Sequence, residues 1–317
     1  MTIYVFRRVL QAVPLLLLVS VTAYAVMNLA PGGPLAVYLH NPHVSPSQLK
    51  LLRVQLGLNK PAWERYFLWL FGILRGHWGY SYATGRPVIT MILVRLPATL
   101  ELMSAAFLVS LTLAIPLGIF AAVRPYSLFD NIFSFSSFFV WAMPTFWFGL
   151  MLQLLLAVDW RVLPVGGMYS DFHHHSLFQL LKHILMPAFV LGLGSIASWS
   201  RYLRSSLLES LGQDYIRTAK AKGIGRLGVV LRHAFRNSLT PIVTMMGLDL
   251  PAFFGGAVIV EQVFAWPGMG RLFLASLNAR DYPVQMAGLM IGATLLIVGN
   301  LLADLLYGFL DPRIHYQ

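Results

Sequence analysis

The sequence contains no cysteine and few charged residues. Without cysteine, disulfides, thiolate nucleophiles and cysteine-based metal sites are excluded. Only 11% of the 317 residues are charged, compared with about a quarter in soluble domains. Segments 102–123, 131–158 and 282–303 contain no Asp, Glu, Lys or Arg, and each is at least as long as the ~20 residues that a helix needs to cross a bilayer. These run lengths predict an all-α polytopic membrane protein.

Six apolar segments predict six transmembrane helices, at approximately 9–30, 98–123, 131–158, 184–204, 240–262 and 284–310. The first segment follows Arg7 and Arg8 and resembles a signal peptide, because Ala23-Tyr24-Ala25 imitates a cleavage site. The apolar run continues to about Ala30, which is long enough to span. We therefore expect residues 1–30 to be a retained N-terminal helix.

Basic residues between the spans predict the orientation of the chain. The positive-inside rule assigns four segments to the cytoplasm: the N-terminus, the short turn at Arg124, the loop 205–240 and the tail 312–317. We expect a multi-pass protein of the cell inner (plasma) membrane. The net charge of +11 does not indicate nucleic-acid binding, since the basic residues have no aromatic stacking platform. Segment 201–240 alone contains eight of them: Arg201, Arg204, Arg217, Lys220, Lys222, Arg226, Arg232 and Arg236.

The predicted external loop, residues 31–97, carries two helical patterns before the core domain at 98–311. Ser45-Pro46 is typical of a helix start, and Gly57 is placed to end that helix. A second, aromatic-rich piece opens near Pro61. It suits either a helix lying at the membrane interface or a small cap packed on its neighbours.

The cytoplasmic segment 214–223 predicts a short helix. Asp214 lies near its start, where the helix dipole favours an acid, and Gly223 lies at its end. Ile216, Ala219 and Gly223 share one face, which we interpret as a surface that another protein approaches. From the residues alone, docking of a partner protein and contact with anionic lipid remain equal alternatives. This candidate docking segment consists of Asp214, Tyr215, Ile216, Arg217, Thr218, Ala219, Lys220, Ala221, Lys222 and Gly223.

Residues 223–228 also satisfy the pattern G-x-G-x-x-G. That pattern indicates dinucleotide binding only between a strand and a helix, whereas here it follows a basic stretch between two predicted spans. We interpret the match as coincidental. The sequence contains no Walker A motif, so this chain is not expected to bind ATP itself.

Segment 214–223, followed by Leu231-Arg232-His233-Ala234-Phe235-Arg236-Asn237, resembles the cytoplasmic signature of dipeptide, oligopeptide and nickel ABC permeases of the B type. That signature is the peptide-family version of the EAA loop, whose coupling helix docks on the ATPase. Arg217 stands where the general motif has Glu, and the closing proline comes late, at Pro241. The peptide branch shares both departures. Further matches include Leu96-Pro97-Ala98-Thr99-Leu100-Glu101-Leu102 and Asp281-Tyr282-Pro283.

The resemblance implies a type I ABC importer permease fold with a helical external loop after the first span. It also implies the partners: a second permease subunit, in a heterodimer, two ABC ATPase subunits that bind ATP and Mg, and an extracytoplasmic solute-binding protein. No cofactor is expected in this chain, and it is not expected to be an enzyme. Relatives carry dipeptides, longer peptides, nickel or oligosaccharides, and we expect di- or oligopeptides here.

Charged residues within the spans are further candidate site residues, because a charge at mid-bilayer costs about 2.5–3.5 kcal/mol on insertion scales. Asp249 either lines the translocation path and meets a peptide ammonium group, or pairs with Ser, Thr, Asn or Arg of a neighbouring helix. The second alternative is favoured. An outer-loop motif follows the fifth span and contains Glu261, Pro267, Gly268 and Gly270. Glu261 is expected to hold this loop in place without touching cargo.

The sequence contains a histidine cluster at His173, His174 and His175, with Asp171 and His183 nearby. Histidine is the commonest protein metal ligand, but three consecutive residues do not readily converge on one ion. We therefore expect a solvated external loop and no metal site.

A polytopic membrane enzyme and a secondary transporter are the two alternative functions. A polytopic membrane enzyme would need a convergent set of His, Ser or acid side chains at one depth, and the spans contain almost no histidine. A secondary transporter would show ionisable relays or broken helices in repeated halves, which the sequence does not display.

Overall fold

The computed structural model describes residues 2–29, 35, 45–55, 57–170 and 176–310. The described residues are predominantly helical and contain no strand, only an isolated bridge between Tyr80 and Pro87. The helices are α1 (Thr2–Leu29), α2 (Pro46–Gln55), α3 (Ala62–Leu74), α4 (Val88–Val123), α5 (Leu128–Ala142), α6 (Thr145–Leu152), α7 (Leu177–Leu211), α8 (Asp214–Ala221), α9 (Phe235–Val263), α10 (Met269–Asn278) and α11 (Tyr282–Leu310).

Two π-helical segments extend these helices. Gln153–Asp159 continues α6. Val229–Ala234 connects the short helical turn Arg226–Gly228 to α9. The chain therefore runs helically from Arg226 to the end of α9 at Val263.

Each predicted span coincides with a helix or a helix pair. Four helices are long and apolar enough to cross a membrane among the described residues, namely α1, α4, α7 and α11. The pair formed by α5 with α6 and its π-helical extension meets the same test as a fifth. Over the remaining predicted span, α9 has 29 residues, which corresponds to ~43 Å at 1.5 Å per residue. The fold class predicted from run lengths is confirmed.

The predicted span 131–158 is not one straight helix. Helices α5 and α6 meet at an angle of 108°, and the break falls at Met143 and Pro144, whose backbones are extended. Proline has no N–H to donate and disfavours the helical conformation of the residue before it. The absence of charge concealed this break, because both sides of it are equally apolar.

The chain divides into two compact units, Met1–Thr99 with Pro267–Ile297 and Leu100–Trp266 with Val298–Gln317. In the first unit, α1 is held to α3 by side-chain hydrogen bonds. Ser20 and Tyr66 hydroxyls lie 2.8 Å apart, and Arg65 donates to Asn28 over 2.8 Å. Most of α1 is otherwise exposed in this chain, as expected of a helix surrounded by lipid or by other subunits.

Asp281 organises the loop before α4, also in the first unit. Its carboxylate, 2% exposed, accepts hydrogen bonds from the Ser81 hydroxyl and from the backbone N–H of Tyr82 at 3.0 Å and of Ala83 at 3.4 Å. Bonds to a charged acceptor are stronger than bonds between neutral groups. They tie the loop to the residue that immediately precedes α11.

The second unit is built around α7, which packs against α5, α6 and α9. Its backbone approaches α4 closely: a Cβ on Gly118 would lie 2.7 Å from the Ser200 carbonyl oxygen. An ion pair joins α5 to α7, since Arg204 Nε and Nη2 donate to the two Asp130 oxygens at 2.5 and 2.6 Å. A bidentate pair of this kind holds both partners in one orientation.

We expect Asp281→Ala to destabilise the chain. The buried Ser81 hydroxyl would lose a charged acceptor, as would the N–H groups of the half-buried Tyr82 and of Ala83, which lowers the free energy of unfolding by about 2–4 kcal/mol. Thermal unfolding of the purified chain in detergent, followed by tryptophan fluorescence, measures this change. Asp159→Ala is the matched control, because Asp159 is exposed. Equal melting temperatures for the two variants would contradict the assigned role of Asp281.

Candidate functional site

The cytoplasmic segment 214–223 forms α8 and its C-terminal turn. The helix begins at Asp214, with Asp214 in its first turn and Lys220 in its last, so both charges complement the helix dipole. It ends in a left-handed glycine, Gly223, with φ +76°. The N–H groups of Gly223 and Ile224 donate to the carbonyls of Lys220 and Ala219 at 2.9 and 3.3 Å. This arrangement is the usual C-terminal glycine cap.

The sequence predicted that Ile216 and Ala219 lie on a face of α8 that another protein approaches, whereas the structure places both on the inward face. Ile216 is 0% exposed and Ala219 is 5% exposed, so these small apolar side chains face the chain itself and not a partner. Ile216 and Ala219 are apolar, so they cover the apolar surface on which α8 packs. The outward face carries Asp214, Arg217, Thr218 and Ala221, all exposed. An Asp214–Arg217 ion pair of 3.1 Å lies on it.

Beneath α8 lies the π-helical segment Val229–Ala234, against which the helix packs. Val229, Val230 and Ala234 are buried. Because this segment continues directly into α9, the seat of α8 and α9 are one helical run. A second link is the hydrogen bond of 3.0 Å between the buried Ser238 and Ser210 hydroxyls, which joins α9 to α7.

Arg226 connects the same region to α4. Its guanidinium donates to the carbonyl oxygen of Val123, the last residue of α4, over 2.7 Å. Carbonyls at a helix C-terminus have no partner within the helix, and a cation there also complements the dipole. Sequence analysis counted Arg226 only as one positive charge, and no local pattern pairs it with a residue 103 positions away.

Asp249 lies on α9 and accepts a hydrogen bond from a tryptophan of α7. The distance from Trp199 Nε1 to Asp249 Oδ2 is 2.6 Å. Trp199 is fully buried, and its indole packs against Phe107 of α4 and Phe253 of α9, with ring centroids 5.3 and 6.3 Å apart. The aromatic cluster therefore orients the N–H towards the carboxylate.

The carboxylate of Asp249 also lines a cavity of about 390 Å³ in the second unit. Polar groups from α7, Ser195, Ser198 and Tyr202, line the same cavity, together with Trp141 of α5. Asp249 is thus both hydrogen-bonded within the chain and open to a cavity. The two alternatives stated for this residue are compatible in the geometry observed.

In the outer-loop motif, Glu261 belongs to the second unit, and Pro267, Gly268 and Gly270 belong to the first. Glu261 is fully buried near the end of α9, and its carbonyl oxygen accepts from the Trp266 N–H at 2.9 Å. Pro267 precedes Gly268, which is the residue before α10, and Gly270 is buried inside that helix. The Met269 N–H donates to Thr99 Oγ1 at 2.7 Å, which caps the start of α10. These hydrogen bonds fix the backbone on each side of Pro267.

The histidine cluster 173–175 and Asp171 lie outside the described residues. His183 is described and buried: its Nε2 lies 3.1 Å from Ser170 Oγ and its Nδ1 lies 2.8 Å from the Gln179 carbonyl oxygen. Both ring nitrogens therefore have protein partners. In the part of the chain that the structure describes, no group of three His, Cys, Asp or Glu side chains is placed to hold a metal ion.

Comparison with known proteins gives two matches to family models. Residues 114–316 match the binding-protein-dependent transport system inner membrane component, and residues 1–103 match the N-terminal part of the membrane component of such systems.

Curated relatives match over their full length. The oligopeptide transport system permease protein AppB of Bacillus subtilis is 42% identical over 100% of both chains. The dipeptide transport system permease protein DppB of Escherichia coli is 36% identical over 99% of both. The di/tripeptide transport system permease protein DppB of Pseudomonas aeruginosa is 35% identical, again over 99% of both. The chain therefore belongs to the family of binding-protein-dependent transport system inner membrane components.

Proposed function

We propose that this permease subunit conducts di- and oligopeptides across the membrane, driven by ATP hydrolysis in partner subunits. The observation that carries the proposal is the seat of α8, because an outward-facing charged helix is anchored by Ile216 and Ala219 on the run that becomes α9. Relatives named as oligopeptide, dipeptide and di/tripeptide permeases support peptides as the cargo.

In this proposal, α8 is the coupling helix. Two ATPase subunits hold ATP and Mg, and one of them receives the outward face of α8. Because the inward face packs on Val229–Ala234, a displacement of α8 is passed to α9 and to the Asp249 cavity that α9 lines. Arg226 passes the same displacement to the end of α4 through the Val123 carbonyl.

The remaining partners complete the transport cycle. A second, related permease supplies the other half of the translocation path, and an extracytoplasmic solute-binding protein delivers the peptide. Closure of the ATPase pair on ATP turns the path outward, and hydrolysis returns it to the inward-facing state. In this arrangement Asp249 lines the path, while the buried Glu261 belongs to the support of the outer loop.

The proposed orientation places both chain termini, α8 and the loop 205–240 in the cytoplasm, and places the segment 31–97 outside. Basic residues concentrated in segment 201–240 support this orientation, since cytoplasmic loops carry an excess of Lys and Arg.

The test of the function is reconstitution of the four membrane-associated subunits in liposomes with the binding protein. Wild-type transporter is expected to accumulate a radiolabelled dipeptide only with hydrolysable ATP. Ala221→Trp is expected to lower uptake at least roughly tenfold, because a large side chain on the outward face of α8 blocks close docking of the ATPase, and a loss of ~1.4 kcal/mol in docking suffices for a tenfold effect.

Leu227→Trp is the matched control, since Leu227 is exposed in the same loop but lies outside α8. Uptake that persists with a non-hydrolysable ATP analogue would refute the ATP-driven mechanism. Normal uptake and normal ATPase co-purification with Ala221→Trp would refute the assignment of α8 as the docking helix.

The orientation has its own test, for which the chain is well suited because it contains no cysteine. A membrane-impermeant maleimide is expected to label Tyr80→Cys in intact cells, since Tyr80 is exposed on the proposed external segment. Lys222→Cys, exposed next to α8, should react only after the membrane is opened. Labelling of Lys222→Cys in intact cells would reverse the proposed orientation.

A further inference from the structure

A second cavity adjoins the one lined by Asp249. It has a volume of about 530 Å³ and is lined by Arg201 and Arg204 and by Ser134, Phe138 and Ser205. Trp141, Ser198 and Tyr202 line both cavities. One face of α7 thus runs along both, with Asp249 on the first cavity and Arg201 on the second.

Arg201 differs from its neighbour Arg204 in its partners. Arg204 is held by the Asp130 carboxylate at 2.5 Å. Arg201 instead lies over the Phe138 ring, 4.3 Å from its centroid, and among the described residues it forms no ion pair with an acid. A guanidinium over an aromatic ring keeps its N–H groups available for an anion. Arg201 is therefore positioned and still able to bind a carboxylate.

Asp249 carries the opposite charge and lines the first cavity. Trp199 donates to one of its oxygens, but no Lys or Arg lines its cavity. A carboxylate inside a membrane-spanning bundle is costly unless it meets an opposite charge or water. The cavity leaves space for a ligand that brings a positive group.

The separation of the two charges suits a short peptide. Asp249 is level with Ser195 and Trp199 on α7, so Arg201 follows two to six residues later, or ~3–9 Å along the helix at 1.5 Å per residue. An extended chain of two or three residues spans up to ~7–11 Å. The termini of a di- or tripeptide can therefore reach both charges.

We infer that Asp249 and Arg201 form a two-point site for a zwitterionic short peptide, with the ammonium group at Asp249 and the terminal carboxylate at Arg201. The inference rests on the proposed peptide cargo and adds the residues that recognise it inside the membrane. Ser198 and Tyr202, which line both cavities, supply hydroxyls for the peptide backbone. The site selects free termini without reading side chains.

The test is peptide binding to the nucleotide-free four-subunit transporter in nanodiscs, without the binding protein. Radiolabelled alanylalanine is the probe, and its N-acetyl and C-terminal amide forms are competitors. For the wild type, each cap is expected to weaken competition roughly tenfold, equivalent to ~1.4 kcal/mol. Asp249→Asn should abolish the penalty of the acetyl cap only. Arg201→Gln should abolish the penalty of the amide cap only.

Matched controls separate recognition from folding. Arg201→Lys keeps the charge and should keep the amide penalty. Lys182→Gln removes a cation that also lies over a ring of α7, Phe178 at 4.7 Å, but not on these cavities, and should change neither penalty. Cap penalties that stay as in the wild type in both site variants, or absence of saturable binding to the wild type, would overturn the two-point site.

The uptake experiment with the binding protein separates failure of the two-point site from failure of the proposed peptide cargo. If the wild-type transporter accumulates dipeptides while the cap penalties do not respond to Asp249→Asn and Arg201→Gln, the two-point site alone is wrong. If the wild type accumulates no peptide, the proposed cargo is wrong.

Discussion

Burial of Ile216 and Ala219 is the contact on which the proposed mechanism depends. These two side chains seat a short charged helix on Val229–Ala234, and that segment continues directly into α9. A helix of eight residues is not stable alone in water. Its tertiary seat therefore determines both its presence and its orientation, and directs its charged face outward.

The second constraint is that acidic side chains away from water need hydrogen-bond or ion-pair partners. Three described acids have different partners: Asp130 has a bidentate arginine, Asp281 has hydroxyl and backbone donors, and Asp249 has an indole N–H beside a cavity. In an importer permease, which this chain is by family, paired charges stabilise the scaffold. We propose that the Asp249 carboxylate, which lines a cavity, takes part in transport.

Much of the fold could be predicted from sequence because a bilayer imposes run length and charge placement. Helix α8 was also predictable, since Asp214 and Gly223 mark its two ends. The break at Met143 was missed because the apolar residues on both sides gave a continuous pattern. The Trp199–Asp249 bond joins residues 50 positions apart, and the inward face of α8 depends on what lies beneath it. Local patterns contain neither kind of information.

In the proposed mechanism, α8 and α9 move as one body during transport. Its most direct test is the distance between spin labels on Arg217→Cys in α8 and Leu248→Cys in α9, both at exposed positions of a cysteine-free chain. Pulsed electron paramagnetic resonance compares the assembled transporter without nucleotide and with ATP trapped. If α8 and α9 move as one body, the two states have the same distance distribution. A shift of the distribution between the states would contradict it.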